Sequence, residues 1–97
     1  MKLFYRTQLS TADVLEAADD FFSRLGLTRT ATVPGGRTYT GALGTLELSA
    51  RPEGGHYTFV EGDSDQMGES RLDRNVKRFF VELHRRTEPT HGVEAAY

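Results

Sequence analysis

Cysteine is absent from this 97-residue chain, which excludes disulfides, thiolate metal ligands and thiol nucleophiles and leaves packing alone to hold the fold. A reducing cytoplasm suits such a chain and is the expected location. Long apolar runs are missing too: no stretch approaches the roughly 20 residues that span a bilayer. The first ten residues alternate polar and apolar side chains instead of placing a basic region before an apolar one, so neither a secretory signal nor a membrane partner is expected. An excess of one charge is also lacking. Twelve Lys and Arg against fourteen Asp and Glu give a formal net charge of −2, so no global positive field is available to hold nucleic acid, which is not an expected partner. The three histidines, His56, His84 and His91, include no two at metal-ligand spacing on one element, and neither a metal nor another cofactor is expected.

Two apolar stripes of identical spacing are present: Val14, Ala18, Phe21, Phe22 and Leu25, and Leu72, Val76, Phe79, Phe80 and Leu83. Positions i, i+4, i+7, i+8 and i+11 fall on one side of a 3.6-residue period, so each segment reads as a helix with one face to bury. Ser10 followed by Asp13 gives a capping-box-like start to the first helix, which is expected to stop at Gly26. The second begins near Ser64 or at Ser70, with Asp73 three residues on, and ends before Pro89.

Lys2 to Leu9 alternates as a strand, with Leu3, Tyr5 and Leu9 on one side and Phe4 sharing the other with Lys2, Arg6 and Gln8. Between the helices, Pro34-Gly35-Gly36, Leu43-Gly44 and Pro52-Glu53-Gly54-Gly55 divide the chain into four short strands joined as a meander. Taken as loops, these segments oppose Ala31 to Tyr39, Tyr39 to Leu48, and Leu48 to Phe59. The ladder then places Ala31, Val33, Tyr39, Gly41, Leu46, Leu48, Ala50, Tyr57 and Phe59 on one face, under the helices. The other face collects Thr30, Thr32, Thr38, Thr40, Thr45, Glu47, Ser49, Arg51, His56, Thr58 and Val60, and is free for water or a partner.

The expected class is α+β: a two-layer sandwich, β-α-β-β-β-β-α, with a five-stranded, mainly antiparallel sheet and both helices on one face. Strand one most simply pairs antiparallel with strand five, giving the order 1-5-4-3-2; parallel pairing with strand two through the first helix is the alternative. Residues 1–86 form the single domain, with 87–97 as a mobile tail.

That element order resembles the β-α-β4-α halves of the TATA-binding-protein family and, more loosely, helix-grip folds, across residues 2–86. Through Leu9-Ser10, the alanine- and acid-containing first helix, Leu25-Gly26-Leu27 and the strand pair from Gly41 to Leu48, the chain is also similar to small bacterial domains associated with polyhydroxyalkanoic acid systems. These resemblances imply a topology and carry over no functional residue. The intercalating phenylalanines and basic saddle of the TATA-binding family have no counterpart on the hydroxyl-rich face as read here, so DNA binding is not implied.

Candidate chemistry is sparse. Arg71, Arg74, Arg78 and Arg85 project within one quadrant of the second helix, with Arg86 beside them, while Asp13, Glu16, Asp19 and Asp20 occupy the matching side of the first. The arginines could bind a phosphorylated ligand, nucleic acid or an acidic protein surface. The plainer reading is two solvated rows that attract each other weakly, within a subunit or across a dimer. Glu61 to Gly68 holds carboxylates and a glycine as a calcium loop does, yet Met67 and Arg74 stand where oxygen ligands belong, and helix capping is the expected role. His56 is expected to oppose Arg51 on the outer face, with Glu47 further along, but no nucleophile or oxyanion donor accompanies it. The glycine pairs join strands to strands, so they are turns and not phosphate loops.

The favoured function is therefore noncatalytic association, as a homodimer or with another protein, through the hydroxyl-rich face carrying Thr30, Thr32, Thr38, Thr40, Glu47, Ser49, Arg51, His56 and Thr58, or through a free edge strand. A second reading is small-molecule binding in an apolar pocket near Tyr39, Tyr57 and Phe59. An enzyme ranks third and nucleic-acid binding fourth.

Overall fold

A computed structural model describes residues 1–87. Its elements are β1 (Lys2–Thr7), α1 (Thr11–Arg24), β2 (Thr28–Val33), β3 (Gly36–Gly41), β4 (Gly44–Glu53), β5 (Tyr57–Ser64) and α2 (Arg71–Thr87). The expected element order and α+β class hold. Every neighbouring pair is antiparallel, in the order β1-β5-β4-β3-β2, so the parallel alternative for β1 drops out. Both helices lie on one side of the sheet. Thr87 still belongs to α2; the rest of the expected tail, 88–97, lies outside the described residues. None of the described helices is long and apolar enough to cross a membrane.

Each helix starts where its cap predicts. The Ser10 hydroxyl accepts from Asp13 N at 3.1 Å, and the Ser70 hydroxyl accepts from Asp73 N at 3.0 Å, which settles the start of α2 in favour of Ser70. Gly26, with φ of 99°, follows α1 and takes the left-handed conformation that glycine adopts without strain. The inward stripes are buried at Val14, Ala18 and Phe22 of α1 and at Leu72, Val76, Phe79 and Leu83 of α2. They close on Tyr39, Leu46, Leu48 and Val60 of the sheet. Phe22 sits among the rings of Tyr39, Phe79 and Phe21 at centroid distances of 5.2, 5.1 and 5.0 Å, within the range of favourable aromatic pairs.

The strand registers differ from expectation in three ways with different consequences. The β3–β4 turn is Ala42-Leu43, so Tyr39 opposes Leu46 instead of Leu48. A slip of two residues preserves the pleat, and Tyr39, Leu46, Leu48 and Ala50 stay inward as expected. The β2–β3 turn is Pro34-Gly35, so Ala31 opposes Thr38 and Val33 opposes Gly36 until an irregularity between Arg29 and Ala31 resets the ladder. Ala31 and Val33 consequently leave the expected apolar face, and Val33 is 58% exposed.

The third difference matters most. Pro52 and Glu53 belong to β4, pairing with Thr58 and Tyr57, and Leu48 opposes Gly62 instead of Phe59. This slip of three residues is odd, so β5 is turned over. Thr58, Val60, Gly62 and Ser64 are buried, while Tyr57, Phe59, Glu61 and Asp63 face outward. Thr58 and Val60 were expected on the outer face, and Tyr57 and Phe59 beneath the helices; all four are corrected. The room that Gly62 leaves is taken by α2: a Cβ on Gly62 would stand 3.1 Å from Val76 Cγ1, tighter than ordinary packing.

Asp73 ties α2 to β5. It is fully buried and accepts from the hydroxyls of Ser64 at 2.5 Å and Ser70 at 2.8 Å, with Ser70 N at 3.4 Å. Burial pushes its carboxyl up, but the hydrogen bonds from Ser64 and Ser70 outweigh that and hold it below the ordinary aspartate value. A carboxyl depressed in the folded state stabilises the fold fully above the unfolded pKa of about 3.9, and that contribution disappears as pH falls through the lower folded value. Replacing Asp73 with alanine strips a cap and orphans a buried hydroxyl, so a loss of about 2 kcal/mol at pH 7 is expected. Thermal melts should show a midpoint lower by about 10 °C, with the gap between wild type and variant narrowing as pH falls below 4.

Candidate functional site

Because β5 is turned over, the outward face of the sheet is not the hydroxyl array expected of it. Phe4 of β1 and Phe59 of β5 stack there with centroids 5.5 Å apart, and Phe4 remains 56% exposed. Arg51 Cζ lies 4.6 Å from the centre of the Phe59 ring and Arg6 Cζ 5.3 Å from it, so guanidinium groups flank the ring on both neighbouring strands. This follows from register: Phe59 opposes Arg6 on one side and Arg51 on the other. Arg6 Nε also donates to Glu53 Oε1 at 2.6 Å. Tyr57, 43% exposed, continues the aromatic line along β5.

Carboxylates lie further along the same strands. Glu61 opposes Phe4 and Ser49, and Asp63 opposes Lys2 and Glu47, so Glu47 and Asp63 are like charges directly across from each other, an arrangement that weakens an isolated sheet. A shallow depression of about 210 Å³ runs beside them, bordered by Val33, Thr38, Glu47, Ser49 and Glu61. Thr40 and Thr45, hydroxyl oxygens 3.3 Å apart, close the far end. The face is thus graded from arginine and aromatic groups, through carboxylates, to threonine.

Of the side chains expected on this face, Thr38, Thr40, Glu47, Ser49 and Arg51 are brought together there. Thr30 sits at the β2 irregularity, its hydroxyl donating to Thr38 O at 3.4 Å. Thr32 pairs with Arg37, on the opposite pleat from Ala31 and Val33. Thr58 is buried and donates to Leu9 O at 2.7 Å. His56 lies between β4 and β5 with φ of 71°, so its expected opposition to Arg51 is replaced by Phe59. The expected pocket of Tyr39, Tyr57 and Phe59 does not form, because Tyr39 is inward and the other two are outward. His91 lies outside the described residues.

A polar cluster that sequence reasoning missed stands at the β2 edge. Asp19 of α1 accepts from Tyr39 Oη at 2.7 Å and Arg29 Nη1 at 2.7 Å, and lies 3.4 Å from Arg37 Nε. Burial first, and then the hydrogen bond to Asp19, push the Tyr39 phenol well above its ordinary value. A cleft of about 360 Å³ opens beside Asp19, Ser23, Arg29 and Tyr39. Arg37 also donates to Val33 O at 3.2 Å and Gly36 O at 2.8 Å, so the cluster joins the β2–β3 hairpin to α1. The only signal for it in the sequence is an aspartate bordering an apolar stripe, next to Ala18.

Asp65 lies outside the sheet, accepting from Gln66 Nε2 at 2.8 Å and Thr45 N at 3.0 Å; these bonds hold its carboxyl below the usual range. Among the described residues no three His, Asp or Glu side chains converge as a metal would require. Replacing Asp19 with alanine leaves the mostly buried Arg37 without a counter-charge, and a loss of about 2–3 kcal/mol is expected. Tyr39→Phe should cost less, about 1–2 kcal/mol; urea denaturation of both variants measures the difference.

Compared with protein-family models, the chain matches none, and no curated protein is significantly similar to it.

Proposed function

We propose that the protein is a noncatalytic association domain that pairs with a second copy of itself through the outward sheet face. The observation that carries this reading is the outward Phe4–Phe59 stack, with Phe4 exposed, beside a row of carboxylates. Exposed aromatic and arginine groups are the anchors of protein interfaces. A face that was merely wet would be expected to carry the small hydroxyls read from the sequence.

Charge along β4 complements itself. Arg51 and Glu47 lie four residues apart on β4, a separation of about 13 Å at 3.3 Å per residue. A two-fold axis crossing the strands at the Phe4–Glu61–Ser49 row lays Phe4 on Phe4 of the partner subunit and Arg51 on Glu47 of the partner subunit, which offsets the cost of setting Glu61 on its own copy and Lys2 on Arg6 of the partner subunit. A symmetric interface of this kind uses one patch twice. Such docking also relieves the repulsion between Glu47 and Asp63, and Arg6 is already engaged by Glu53 within the chain.

Sedimentation equilibrium tests the reading. Wild-type protein should shift from monomer to dimer with concentration, whereas Arg51→Glu and Glu47→Arg should each remain monomeric. An equimolar mixture of the two variants should recover the dimer, because the reversed charges again meet opposite signs. A wild-type protein that stays monomeric throughout, or variants that dimerise as wild type does, would refute it.

A further inference from the structure

The arginine row of α2 and the acidic row of α1 do not neutralise each other. Among the described residues no ion pair joins the two helices. Asp19 is engaged by Arg29 and Arg37, and Asp20 by Arg24 at 2.7 Å. Arg71, Arg74, Arg78 and Arg85 are exposed and take part in none of these pairs. The arginine row is thus a solvated face, and its attraction to the acidic row is not made through a contact ion pair within the chain.

Leaving these cations uncompensated works against the helix. Arg71 and Arg74 occupy its first turn, where the helix dipole disfavours positive charge. Arg71, Arg74 and Arg78 also repeat at the three- and four-residue spacings that bring like charges together. Only Arg85, in the last turn, sits where the dipole favours it.

A groove of mixed lining, with Phe21 and Leu25 beside Arg24, Asn75, Arg78 and Glu82, adjoins the row. Two depressions of about 290 and 240 Å³ share Phe21, Arg78 and Glu82; Leu25 extends one, and Val81 and Arg85 extend the other. Phe21 and Leu25 are only partly buried, and Val81 is 52% exposed. On α2, Val81 lies between Arg78 and Arg85, so apolar and cationic groups alternate along one stripe.

We infer that this stripe and groove form a docking site for an acidic amphipathic helix of a partner protein. The row from Arg71 to Arg85 extends about 21 Å at 1.5 Å per residue, the length of about four helical turns. A helix laid along it would set its carboxylates on the arginines and its apolar side chains over Phe21, Leu25 and Val81, in the helix-in-groove mode. A nucleic-acid backbone fits the surface less well. It would leave Phe21, Leu25 and Val81 uncovered. The site lies on the opposite layer from the sheet face and is independent of dimerisation.

The test uses a fluorescein-labelled peptide of about 18 residues, glutamate on one helical face and leucine on the other, long enough to cover the row. A scrambled peptide of the same composition serves as control, and binding is read by anisotropy at about 0.15 M salt. Saturable binding of the amphipathic peptide is expected. Scrambling, Arg78→Glu and Val81→Asp should each weaken it by roughly tenfold, the worth of one charge-assisted contact or one apolar anchor. Pro34→Ala, in the exposed β2–β3 turn, should leave it unchanged, and circular dichroism should show all variants folded. Equal binding of the scrambled peptide, indifference to either α2 substitution, or displacement of the peptide by equimolar duplex DNA or phosphatidylserine vesicles would overturn the inference.

Discussion

Everything in this molecule follows from which side of β5 lies under α2. Gly62 and Val60 are buried beneath the helix, and the close approach of Val76 to Gly62 leaves no room for a larger side chain at that crossing. Ser64 at the end of β5 then reaches Asp73 in the first turn of α2, so the helix is held at one end by polar contacts and along its length by Val76, Phe79 and Leu83. With one pleat of β5 committed inward, alternation commits the other: Phe59, Glu61 and Asp63 must stand on the outer face. The core and the candidate interface are two consequences of one register.

Polar groups decide the edges where apolar packing is thin. Asp73 is satisfied chiefly by hydroxyls and a backbone N–H at a helix N-terminus, where the dipole favours negative charge, with the N-terminal ammonium adding a smaller attraction. Asp19, by contrast, draws two guanidinium groups and a phenol around one carboxylate. It fastens β2, whose six residues are all exposed, to a helix otherwise held by Val14, Ala18 and Phe22. The irregularity between Arg29 and Ala31 bends this edge strand, a feature that discourages edge-to-edge pairing and leaves the sheet face as the better surface for association.

Much of the fold was legible because helix period and capping are local signals. Ser10 with Asp13, and Ser70 with Asp73, mark the helix starts, and the stripes through Phe22 and Phe79 identify the buried sides. Registers depend on turn lengths, and those were harder to read. Tyr39, Leu46 and Leu48 came out on the right face because the β3–β4 slip was even. β5 came out inverted because its inward residues, Thr58, Val60, Gly62 and Ser64, look less apolar than its outward Tyr57 and Phe59. Small inward groups are what the nearby helix demands, and periodicity alone cannot convey that. Pro52 added to the error: it reads as a turn residue, yet it stands on a stretch of β4 that β3 no longer flanks, where a missing N–H is tolerated. His56 was hidden for a related reason, since it accepts the positive φ that sequence reasoning assigned to glycine. The arginine stripe was visible from spacing, but its lack of ion pairs among the described residues emerged only once Asp19 and Asp20 were seen to face arginines of their own.

The orientation of β5 is most directly tested by nuclear Overhauser contacts from the Phe59 ring. Contacts to the ring of Phe4 and the side chain of Arg51, together with contacts between Gly62 and Val76, are predicted. Contacts from Phe59 to Val76 or Phe79, with Val60 in solvent, would contradict the register and the interface built on it.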